Sequence, residues 1–84
     1  MTDLAKINTV VKTVREVICD NSVSITPTKD GFAFIVTKNF PHRDADVIQD
    51  ELETLLMLED IQASVEIEEV SKTRSRVFGD VVFS

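Results

Sequence analysis

The chain is poor in residues that assemble reactive centres. It has one histidine, one cysteine, and neither tryptophan nor tyrosine. The multi-ligand Cys/His sets of structural zinc are therefore excluded. Cys19 cannot close an internal disulfide, which fits a reducing compartment. Two glycines, Gly31 and Gly79, cannot form a glycine-rich phosphate cradle. Together with Pro27 and Pro41 they leave few breaks, so most of the 84 residues are expected in regular elements of one small domain. No apolar run approaches the ~20 residues of a membrane helix. The N-terminus also lacks the basic-then-apolar pattern of a secretory signal. The expectation is a cytoplasmic protein with no membrane contact, no cofactor and no metal.

Positive charge is missing over one long stretch. The formal net charge is -6, but the 15 acids are unevenly spread. Residues 44–71 hold Asp44, Asp46, Asp50, Glu51, Glu53, Glu59, Asp60, Glu66, Glu68 and Glu69, and no Lys or Arg. The segments on either side are each slightly basic. Such a stretch is either a solvated helix face plus a solvated strand face, or an acidic surface for a basic partner; either way it discourages polyphosphate.

What is present is patterned. Leu4, Ile7, Val11, Val14 and Ile18 recur at helical spacing, widened by Val10 and Val17, after a cap at Thr2 or Asp3. A stop is expected at Asp20-Asn21. Residues 22–27 alternate as a strand, and Asp30-Gly31 offers the positive φ angles of a tight hairpin. The apolar run Phe32-Ala33-Phe34-Ile35-Val36 predicts a strand covered on both faces. A second helix should start at Asp44 or Asp46 and bury Ala45, Ile48, Leu52, Leu55 and Leu56. Residues 63–68 alternate as a half-exposed strand. A turn over 71–73 leads to a last strand over 77–83, with Arg74 or Arg76 opposite Glu66, Glu68 or Glu69.

The order is α-β-β-α-β-β. It predicts an α+β domain with two helices packed on one face of a four-stranded sheet, a circularly permuted ferredoxin-like plait. The strand order would be third, fourth, second, first. Apolar central strands imply an apolar open face, which dimerisation through the sheet would cover.

Few motifs point to chemistry. Gly31-Phe32-Ala33-Phe34-Ile35 resembles the RNP1 signature of RNA-recognition motifs. It departs at Asp30, where the family has a basic residue, and at Thr37, where it has an aromatic. The resemblance implies single-stranded nucleic-acid binding, with Phe32, Phe34 and Phe78 stacking on bases and Lys29, Lys38 and Arg76 on phosphates. Against it stands the reading that Phe32 and Phe34 are core. His42 is expected in a loop and Cys19 as a small buried residue. Carboxylate pairs are abundant, but nothing marks a pocket that would separate their pKa values.

No catalytic residue emerges, and an enzyme is not expected. The leading expectation is an acidic binding or regulatory module, a homodimer or small oligomer, that offers Asp50, Glu53, Glu59, Glu66 and Glu68 to a basic protein. Such a module could occlude a nucleic-acid-binding surface by imitating its ligand. A structural subunit of a larger assembly is the remaining alternative.

Overall fold

The computed structural model describes residues 3–83, apart from the side chain of Asp3. The proposed caps at Thr2 and at the Asp3 side chain lie outside the described residues. The elements are α1 (Asp3–Ile18), β1 (Val23–Pro27), β2 (Gly31–Val36), β3 (Phe40–Pro41), α2 (His42–Leu58), β4 (Ala63–Glu69) and β5 (Arg74–Val82). The architecture is α+β, with two helices and an antiparallel sheet, and the element order is compatible with a ferredoxin-like plait. The four long strands run β1-β2-β5-β4. The sheet has a fifth strand, where four were expected. The two-residue β3 pairs with the start of β5, Phe40 opposite Ser75, on the edge that β2 also uses.

Strand parity decides what is buried. Phe32, Phe34 and Val36 of β2, Val77 and Val81 of β5, and Val65 of β4 point to the helices and are closed to solvent. They meet Val10, Val14 and Ile18 of α1 and Ala45, Ile48, Leu52 and Leu56 of α2. At roughly 25 cal/mol per Å² of apolar surface, this single cluster dominates stability. The α1 stripe is rotated from the expected one. Leu4 is 67% exposed, and Val10 takes a central place instead. Leu55 likewise sits at the margin of the α2 stripe.

The open sheet face is less apolar than expected. The β5 residues facing it are Arg76, Phe78, Asp80 and Val82, and β2 adds only Ala33 and Ile35. Row by row across the strands, Ser24 meets Ile35, Phe78 and Glu66, while Thr26 meets Ala33, Asp80 and Ser64. Polar residues from the edge strands thus confine the apolar area to the middle.

Both glycines are needed for close approach. Neither adopts a positive φ, contrary to the expectation at Gly31. A Cβ on Gly31 would lie 1.9 Å from the Val81 carbonyl oxygen. On Gly79 it would lie 2.6 Å from the Phe34 ring and 2.9 Å from the Ser64 carbonyl. Among the described residues, the left-handed positions are Cys19 (φ 56°) and Asp60 (φ 60°), each just past a helix. After α2 the Ile61 N–H donates to the Leu56 carbonyl at 2.9 Å and the Asp60 N–H to Met57 at 3.0 Å. This is a Schellman closure, with buried Ile61 as its apolar contact. The helix thus ends at Leu58 with Glu59 as its C-cap, without a glycine to announce the stop. The α1 end closes similarly, the Asp20 N–H reaching the Arg15 carbonyl at 3.3 Å.

Two stability effects of opposite sign are expected in urea denaturation. Gly79→Ala should cost about 2 kcal/mol, because the buried Phe34 ring cannot retreat. Asp60→Gly should stabilise by about 1 kcal/mol by relieving the left-handed strain.

Candidate interaction surfaces

α2 begins at His42, earlier than expected, so His42 is a helix residue and not a loop residue. Pro41 takes the N-cap position at φ -54° and ψ 147°, with no side-chain cap. Proline has no N–H to satisfy there, and its fixed φ suits a chain entering a helix. Asp44 in the first turn complements the helix dipole.

The early start lets His42 clamp two other elements. Its Nε2–H donates to the Lys72 carbonyl at 2.8 Å, in the turn between β4 and β5. With Nε2 committed as a donor, Nδ1 of the neutral ring accepts from the Ser75 hydroxyl. Ser75 is 2% exposed, so this bond satisfies a buried polar group. The pair fastens the head of α2 to the start of β5. Ser71 Oγ tightens the same turn by accepting from the Thr73 and Arg74 amides at 3.4 and 3.2 Å.

The expected acidic residues do not share one flat face. At ~100° per residue, Asp46 and Glu53 fall on the α2 flank over β4 and Asp50 on its crest. That orientation is fixed by Gln49, whose Nε2 donates to the Val65 carbonyl of β4 at 2.8 Å. Glu66 and Glu68 instead leave β4 on the open side of the sheet. Glu59 stands at the C-cap of α2. The acids therefore bracket the β4 edge from above and below. Among the described residues, Glu68 alone of the ten forms an ion pair, with Arg76 at 3.2 Å. The expected cross-strand pairing is thus realised at Glu68 and Arg76.

The nucleic-acid set is dispersed. Phe32 and Phe34, 1% and 0% exposed, are core and cannot stack on bases, which corrects that reading. Phe32 packs on Phe83 with ring centroids 5.4 Å apart. Phe78 is on the open face, half-buried beside Ile35. Lys29 and Lys38 lie beyond opposite ends of β2, and Arg76 is held by Glu68. Lys38 is 3.6 Å from Asp20 and 5.8 Å from the Phe40 ring centroid.

Cys19 is exposed, not buried, because the left-handed turn carries it off the helix. The Asp20 carboxyl is held below the usual carboxylate value, chiefly by the Ser22 hydroxyl at 2.6 Å, helped by the Ser22 amide and Lys38. A lowered pKa stabilises the fold above the ordinary carboxylate range, and that contribution fades as pH falls through the lowered value.

Sequence reasoning missed one surface. Val17, Phe40, Val47 and Ile48 line a groove of about 280 Å³ between α1 and α2, with Asp44 and Glu51 beside them. Its signal was present in Val47, an apolar residue off the buried stripe of α2 and 57% exposed. Among the described residues, no three His, Cys, Asp or Glu side chains converge as a metal set, and no helix is long and apolar enough to cross a membrane.

The clamp predicts a coupling measurable by a double-mutant cycle. His42→Ala should cost about 2 kcal/mol by orphaning the Ser75 hydroxyl. Adding Ser75→Ala should recover about 1 kcal/mol of the summed losses, whereas simple additivity would mean that the bond contributes nothing.

Comparison with protein-family models, curated proteins and solved structures found no match.

Proposed function

We propose that this protein is a small non-catalytic binding module that engages a basic protein partner along the β4 edge and the adjoining flank of α2. The observation that supports this reading is the uncompensated acid around that edge. Asp46, Asp50, Glu53 and Glu66 are exposed and form no ion pair among the described residues. Clustered like charges repel one another, and a cationic partner relieves that repulsion. A potential of one sign also speeds encounter with the opposite charge by 10- to 10³-fold at low salt. A strand edge bracketed by carboxylates resists pairing with another acidic copy.

A nucleic-acid-binding protein, with its own basic surface, is the partner class whose chemistry fits best. Occupying that surface would give the module an inhibitory role. Self-association through the sheet has weaker support, since Ile35, Phe78 and Val82 are interrupted by Asp80 and Glu66. Direct binding of nucleic acid loses its stacking platform with Phe32 and Phe34 buried.

A labelled peptide of alternating lysine and serine is a suitable probe, followed by fluorescence anisotropy. Binding should weaken with added salt, and the Glu53→Lys/Glu66→Lys double variant should bind about tenfold less tightly. A single-stranded RNA of similar length should not bind. Unchanged affinity after double reversal, or tighter binding of the RNA, would overturn the reading.

A further inference from the structure

The groove between α1 and α2 combines two properties that together specify an occupant. Its floor is apolar, formed by Phe40 and Ile48, which are almost fully closed to solvent. Its walls are Val17 of α1 and Val47 of α2, the latter 57% exposed. Leu55, 37% exposed, stands two turns beyond Val47 in a separate recess that also includes Glu51, so the groove's apolar surface ends at Val47 and Ile48. Its rim is acidic, because Asp44 and Glu51 stand at the mouth without an ion pair among the described residues. Lys38, near the Phe40 ring, is paired with Asp20 and leaves these carboxylates uncompensated.

We infer that this groove receives one face of an amphipathic basic helix of the partner, with apolar side chains on Val17, Phe40 and Val47 and Lys or Arg on Asp44 and Glu51. This inference rests on the basic-partner reading and names the apolar anchor that reading lacks. Charge complementarity selects the occupant. A purely apolar or acidic segment lying in the groove would strip water from Asp44 and Glu51 and return nothing. A second copy of this chain, at a net charge of -6, would bring carboxylates to carboxylates. A cation at each rim position removes that cost while the floor takes up apolar surface. Shape points the same way, since the seam between two packed helices is a linear trough that a third helix can follow with residues spaced three and four apart.

The test compares two labelled peptides of equal charge and about four helical turns, one alternating leucine and lysine at amphipathic helical spacing, the other replacing every leucine with serine. Amide NMR titration of the full chain should show the leucine peptide perturbing Val17, Val47 and Glu51. It should bind about tenfold more tightly than the serine peptide. Val47→Ser, at an exposed position that leaves the core intact, should remove most of that difference. Glu51→Lys should weaken both peptides. Equal affinity of the two peptides would overturn the groove and leave the acidic-surface reading standing. Perturbations centred on Ile35 and Phe78 would overturn the groove in favour of the open sheet face. Failure of both peptides to bind would overturn the groove and the basic-partner reading together.

Discussion

The contact on which this domain turns is the Phe34 ring lying over Gly79, its partner across β2 and β5. An aromatic ring on a cross-strand glycine replaces the missing side chain and locks the register of the pair. A slip of one residue would send Phe32, Phe34 and Val36 to the open face and leave the helices without a core. The same registration sets Ile35 beside Phe78 on the other face. It also aligns β4 on the far edge of β5, where Val65 shares the Gly79 position. The sidedness of every acidic and aromatic residue follows from it.

Charge is then arranged by the elements that this core orients. α2 presents its apolar stripe to the sheet, and its acids fall on the remaining surface. Those on one flank face the β4 edge, and those on the other rim the α1 seam. One helix therefore contributes to two surfaces of the same sign. A basic partner that reached around α2 would meet carboxylates on both sides and apolar contact on only one. For the proposed partner, charge would provide attraction over distance, and the seam would provide discrimination among positively charged candidates.

Much of the fold was legible because its signals are local. Alternation in β1 and β4, the apolar run of β2 and the helical spacing in α2 each follow from one segment burying one face. What escaped depends on contacts between segments. Gly31 looked like a turn glycine, but its need is the Val81 carbonyl arriving from β5. His42 looked like a loop residue because its partners, Lys72 and Ser75, are about thirty positions away. β3 was invisible, being two residues long. In α1 the expected Ile7, Val10, Val14, Val17 and Ile18 do meet the core, and Leu4 and Val11 do not, because their spacing fits the stripe equally well. Which set is buried is decided by α2 and the sheet. The acids were found by type, but which face of the sheet carried Glu66 and Glu68 awaited the β4 register.

The His42 fastening has a consequence for how the molecule comes apart. It joins the head of α2 to a turn 30 residues later in the chain and to a buried serine 33 residues later. Such a link exists only where the docked helix and the closed β4–β5 hairpin are both present, so it joins the two in one cooperative unit. Opening either one breaks the bonds to Lys72 and Ser75 together and leaves the serine hydroxyl without its partner. The ring therefore works as a latch, coupling the opening of the helix head to the opening of the hairpin.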